Sequence, residues 1–173
     1  MGEHASIHDW AREMARYTRW QNRALYALCD GLTRSDLHAD RGLFFGSIFA
    51  TLDHILVIDR ALLQFIITSK PPPPALLETA AGQANFAVLA EHRKRFDERL
   101  VFRLDRAVGT WLDSEVAFHS ERLGRRRAFP RYFLLMQMFN HATHHRSQVT
   151  SELHRLGFDH GSTDLPFNPD SLY

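Results

Sequence analysis

Residues 133–157 read FLLMQMFNHATHHRSQVTSELHRLG, and the spacing of their apolar side chains decides the fold. At about 100° per residue, Leu134, Met138, His141, His145, Val149 and Leu156 fall within an arc of roughly 80°, the width of a core-facing helical stripe. Pro130 suits the opening of such a helix, because its missing amide would have no partner in a first turn. Gly157 supplies the left-handed residue on which helices commonly stop. The segment is therefore predicted to be a long amphipathic helix with two histidines on its buried face.

Matching stripes occur upstream. Trp10, Met14, Tyr17, Ala24, Leu25 and Leu28 recur at three- and four-residue spacing between Asp9, a candidate N-cap, and Gly31, a candidate stop. Thr33 to Leu37 reads as a capped turn. An apolar-rich second helix runs from about Ser47 to Thr68, ended by Lys70 and four consecutive prolines, which lack the amide donor and clash with the preceding turn. A long connection begins there. Phe86, Leu89, Phe96, Leu100 and Leu104 then form one stripe on a charge-dense segment, the third helix. Between Thr110 and Phe129 the period changes: Val116 and Phe118 alternate with polar residues, and Leu123–Gly124 offers a turn, the pattern of a short β-hairpin. Four helices of roughly 20 to 27 residues span about 30 to 40 Å each, the scale of a bundle. The expected fold is all-α, a four-helix bundle with a long crossover connection and a short hairpin before the last helix. A chain of 173 residues fits a single domain, here 1–173, with the tail from Phe158 to Tyr173 as irregular chain over the surface.

Composition narrows the function by exclusion. With 45% hydrophobic and 24% charged residues the chain has neither disordered nor membrane composition, and no apolar run approaches the roughly 18 residues of a membrane span. A formal net charge of +1 leaves no electrostatic footprint for nucleic acid. The arginines are scattered over every segment, and the short run Arg125–Arg127 reads as a solvated turn. Cys29 is the single cysteine, which excludes an intramolecular disulfide framework and a cysteine zinc motif and fits a reducing, cytoplasmic setting.

Eleven histidines are the unusual feature. His4, His8, His38, His92, His119, His154 and His160 lie at termini, turns or polar helix faces and read as solvated. His141 and His145 differ, since two imidazoles facing a core need partners for a donor and an acceptor each. An i, i+4 pair can direct two nitrogens at one ion at about 2.0 to 2.1 Å, but the same spacing also suits a hydrogen-bonded pair with no metal. His144 lies about 60° to the side of His141 and reads as a rim residue or hydrogen-bond partner. His54 is the remaining histidine inside an apolar helical run, flanked by Leu52, Ile55, Leu56 and Ile58. It reads either as a third ligand or as a ring bonded to a neighbouring carbonyl.

Three segments together resemble the DinB/YfiT-like superfamily. They are YTRWQNRAL with Tyr17, Trp20 and Asn22, TLDHILVIDR with His54 and Asp59, and NHATHHRSQV from Asn140 to Val149. The last, with its N-H-x-x-H-H-R-x-Q order, is the most specific. The resemblance implies a four-helix bundle with a long crossover, often dimeric, and a divalent metal held by His54, His141 and His145. It also implies that the metal serves, in some relatives, to activate a low-molecular-weight thiol for transfer or isomerisation. Ser147 stands where a glycine is common in that segment, a change that leaves the ligands in place.

Three neutral ligands would leave a bound Zn²⁺ its full charge and an open fourth position, a catalytic type of coordination. Ni²⁺ and Fe²⁺ accept the same nitrogen donors. Ala142 occupies the place of the glutamate in H-E-x-x-H proteases, so the helix carries no general base of that kind. The expected function is a metal-dependent enzyme, a thiol S-transferase or a hydrolase acting on a small molecule. The alternative is a non-catalytic module with a structural metal. Proton competition for three imidazoles of ordinary pKa, about 6.5, predicts affinity falling steeply below about pH 6.

Overall fold

The computed structural model describes residues 6–72, 83–107 and 110–173. His4, Pro73, Pro74 and most of the long connection that begins at the proline run lie outside the described residues. The chain is mostly helical, with five α-helices and one two-stranded antiparallel sheet among the described residues.

Helix α1 spans Ile7–Asp30. Its N-cap is Ser6 rather than Asp9: the Ser6 hydroxyl accepts from the Asp9 amide, and the Asp9 carboxylate accepts from the Ser6 amide at 3.0 Å. Asp9 is thus the acidic half of a capping box, three residues inside the helix. Thr33 caps the short α2, Arg34–His38, where the sequence pattern predicted only a capped turn. Ser47 caps α3, Ile48–Thr68, by accepting from the Ala50 amide. That helix ends on Ser69, the only non-glycine described with a positive φ, 58°. Pro71 and Pro72 follow after Lys70 and cannot resume it. Asn85 caps α4, Phe86–Asp105.

The hairpin is present as β1, Glu115–Ser120, paired antiparallel with β2, Arg125–Pro130, in a register that sets Val116 opposite Phe129 and Ala117 opposite Ala128. The chain turns through a 3₁₀ segment and Gly124, whose φ of 59° favours glycine. Strand β2 runs directly into α5, Arg131–Arg155. At that junction the Arg131 guanidinium donates to the Ile66 carbonyl at 2.9 Å, and Phe118 meets Phe65 edge-on, so the hairpin is pinned to the end of α3.

Helix α3 packs along α5, and α1 packs along α4. Leu52, Ile55, Leu56 and Ile66 of α3 share the core with Leu89, Leu100 and Leu104 of α4 and with Leu135, Met138, Val149 and Leu153 of α5. Fifteen of the 21 residues of α3 are buried, so it is covered on nearly every side. A histidine or aspartate on this helix therefore faces protein rather than water.

The C-terminal tail is tied down rather than merely laid over the surface. Both carboxylate oxygens of the buried Glu13 are used: one accepts from the Asn168 side-chain amide at 3.2 Å, the other from the Leu172 backbone amide at 2.8 Å. The Tyr17 hydroxyl donates to the Thr163 carbonyl at 2.7 Å, Gln21 donates to the Ser162 carbonyl, and Arg19 pairs with Asp170. No helix among the described residues is long and apolar enough to cross a membrane.

Candidate metal centre

Helix α3 contributes His54, and α5 contributes His141 and His145 one turn apart. The packing of these two helices brings the three rings together, with one candidate ligand atom from each lying within 4.8 Å of the others. His54 and His145 are buried and His141 is half-buried. The Nε2 atoms of His54 and His141 stand 3.2 Å apart. Two nitrogens on one tetrahedral ion at about 2.0 to 2.1 Å from each would sit about 3.3 Å apart, so this spacing suits a shared ion as well as a direct hydrogen bond. The Nδ1 atom of His145 meets the Gln148 side-chain oxygen at 2.9 Å. An amide oxygen only accepts, so His145 carries its proton on Nδ1 and presents the lone pair of Nε2.

The loop between α2 and α3 closes over the rings. Gly42 and Gly46, at φ of 68° and 78°, frame a tight turn in which the Gly46 amide donates to the Leu43 carbonyl. That turn lays Phe45 on His54, with ring centroids 3.8 Å apart and planes 28° from parallel, and 5.5 Å from the His145 ring. His144 is exposed beside the cluster, its ring 4.8 Å from that of His145, and does not belong to the converging set.

The model of the DinB family matches residues 1–172. The chain belongs to the DinB family. No curated protein and no solved structure matches it.

In this DinB-family chain burial shapes the electrostatics of the site. The His141 pKa is lowered to about 4, first by burial and then by the neighbouring rings of His145, His54 and His144. That of His145 is lowered by burial as well, against the opposing hydrogen bond to Gln148. Both rings are held neutral, the state in which imidazole is a ligand. The Nδ1 atom of His141 is buried without a hydrogen-bond partner among the described residues.

A second polar cluster lies in the core, where the sequence showed only isolated residues. Arg93, almost wholly buried, bridges Asp59 and Asp97 at 2.6 Å each, and Asn22 donates to Asp97. Burial raises the Asp59 pKa to about 6 and also raises that of Asp97, with Arg93 opposing in both cases. Arg146, buried on α5, carries a fourth charge into the same region. Asn22 and Asp59 belong to the segments that suggested the family, and they act on one another's neighbours through Arg93 rather than at the histidines. The remaining histidines serve elsewhere: His38 packs on Phe49, and His92 bonds Gln83. Phe45 was missed because a single loop aromatic has no periodicity to betray it. Gln148 was visible in the last motif, three residues past His145, but only the folded helix shows which nitrogen it engages.

Proposed function

We propose that this protein binds one divalent metal ion through His54, His141 and His145 and uses it in catalysis on a small molecule. The observation that carries this reading is the convergence of three imidazole nitrogens, from two different helices, within 4.8 Å. Zn²⁺, Ni²⁺ or Fe²⁺ bound there would act as a Lewis acid, acidifying a low-molecular-weight thiol or a water for transfer to, or hydrolysis of, a small electrophile. The protein's own part is positional. Gln148 holds His145 in the tautomer that faces the site, and the packing of α3 on α5 sets the three rings side by side. Phe45 covers one side of the cluster and keeps water from it. Ala142 offers no proton acceptor in the place of the protease glutamate, so ligation would lower the pKa of the attacking group and its proton would pass to solvent.

The four long helices α1, α3, α4 and α5 are taken as the bundle typical of the family, and the protein as a cytoplasmic homodimer. A second reading, a structural metal, is favoured by the fact that the site links α3 to α5. Two measurements separate them. A catalytic site is expected to give metal-dependent consumption of a model electrophile with at least one low-molecular-weight thiol or with water, lost in His141→Ala. A purely structural site would give no turnover with any thiol tested and a large drop in melting temperature on chelation.

A further inference from the structure

Arginines that look scattered in the sequence gather on one side of the fold. Arg95, Arg99, Arg103 and Arg106 recur at three- and four-residue spacing along α4 and its C-cap, and Arg60 faces them from α3. The five line a groove of about 950 Å³ that also takes in the exposed ring of Phe102. Among the described residues no aspartate or glutamate lines it. Arg95 pairs with Glu91, but Arg60, Arg99, Arg103 and Arg106 have no ion-pair partner among the described residues. The crowding is felt at Arg60, whose pKa is pushed down by burial and then by the charges of Arg93 and Arg99, with Asp53 opposing. In a chain with a net charge of only +1, this concentration means that the acids are spent elsewhere: Asp59 and Asp97 on Arg93, Asp105 on Arg16, Asp170 on Arg19.

Four guanidiniums that form no ion pair among the described residues make a receptor for an anion of several charges, since each can give paired N–H donors to phosphate oxygens. Arg106 lies over the Phe102 ring, 3.6 Å from its centroid, which makes a flat cationic platform at one end of the groove. From Arg95 to Arg106 the helix axis advances roughly 16 Å, the reach of one extended nucleotide rather than of a long polymer. The groove volume falls within the roughly 300 to 1,000 Å³ of small-molecule sites. A long polyanion would also run beyond the groove onto a surface that carries both signs of charge, with Glu91 and Glu98 on the same helix.

We propose that the groove between α3 and α4 binds a small phosphorylated molecule carrying a planar ring, of the nucleoside polyphosphate class. The phosphates sit among Arg60, Arg99 and Arg103, and the ring stacks at Phe102 and Arg106. This goes beyond the metal centre and does not depend on it, because none of the three histidines lines the groove.

The test is calorimetric titration of the full chain with ATP, adenosine, inorganic tripolyphosphate and a 12-nucleotide single-stranded DNA. ATP is expected to bind at least about tenfold more tightly than adenosine or tripolyphosphate. Arg99→Gln with Arg103→Gln, checked for an unchanged melting temperature, is expected to weaken ATP at least about tenfold. Arg125→Gln with Arg126→Gln, on the hairpin, and His141→Ala are expected to leave ATP affinity within about twofold. Absence of ATP binding would overturn the proposal, as would equal loss in the hairpin variant, which means diffuse charge attraction. Loss in His141→Ala would move the ligand to the metal centre, tripolyphosphate binding as tightly as ATP would remove the ring contact, and tighter binding of the DNA would make the partner a nucleic acid. Each of those results also contradicts the proposal.

Discussion

Gln148 shows how one side chain can set the chemistry of another. By accepting from His145 Nδ1 it leaves Nε2 as the only lone pair that ring can offer, at no cost in charge. Gln148→Leu is therefore expected to weaken metal binding about ten- to hundredfold in competition titrations with a chelator, and Gln148→Glu to retain most of it. Acidification acts on the same rings. The folded pKa of His141, about 4, lies below the ordinary 6.5, so the unfolded chain takes up its proton first as pH falls. The stability this ring contributes in the metal-free protein is complete above about pH 6.5 and is lost progressively as pH falls towards 4. Metal affinity follows the same shift. The steep loss below pH 6 expected from three ordinary imidazoles gives way to a shallower one, because His141 and His145 begin to compete for protons only at lower pH. Proton uptake per ion released, measured between pH 5 and 6, is expected to stay well below three; a value near three would show that the rings are not buried as described. Cys29 stands apart from this chemistry. It is buried in the core, with its thiol pushed up to about 12 by burial, and Cys29→Ser is expected to leave metal content unchanged.

Among the elements, helix boundaries depend on a few capping groups, and most of these could be read in advance. Ser47, Thr68 and the prolines after it bracket α3 as the sequence pattern predicted, because a hydroxyl cap and a proline stop act locally. Asp9 misled because an acid three residues inside a helix and a cap at its start look alike until the partner amide is known; Ser6 is the cap. Ser6→Ala is expected to cost about 1 kcal/mol in denaturant unfolding. The buried charges were not legible as a group. Asp59, Arg93 and Asp97 sit on two helices, and no spacing rule links residue 59 to residue 93. Their energetic asymmetry is nevertheless clear: Arg93→Ala would strand two buried carboxylates and is expected to destabilise by about 3 to 5 kcal/mol. A loss below 1 kcal/mol by denaturant unfolding would mean that water reaches the cluster.

Over the whole molecule, the sequence disclosed whatever repeats with a helical or strand period and concealed what the fold assembles from distant parts. The four amphipathic stripes and the hairpin were legible because each rests on a local period, and His141 and His145 were legible as a core-facing pair. His54 joined them only through the resemblance to the DinB/YfiT-like superfamily, and the packing of α3 on α5 brings it to them. The tail was not, since its anchors are single contacts from Asn168 and Leu172 back to Glu13, 155 and 159 residues away. Removing residues 159–173 would leave the Glu13 carboxylate buried or newly wet, and the truncated chain is expected to melt several degrees lower by calorimetry, at about 2 to 4 °C per kcal/mol lost. An unchanged melting temperature would show the tail to be only loosely laid on α1. The basic groove was hidden only in part: Arg95, Arg99, Arg103 and Arg106 share one helical face of α4, and Arg60 joins them only when α3 is set beside it. The claim that joins these parts is that α3 and α5 exist in this arrangement to hold one ion. Elemental analysis of the purified protein and of its His54→Ala, His141→Ala and His145→Ala variants tests it most directly. About one divalent ion per chain is expected in the parent, and loss of tight binding in all three variants; a parent free of metal after repurification with Zn²⁺, or any one variant that keeps full stoichiometric metal, would contradict it.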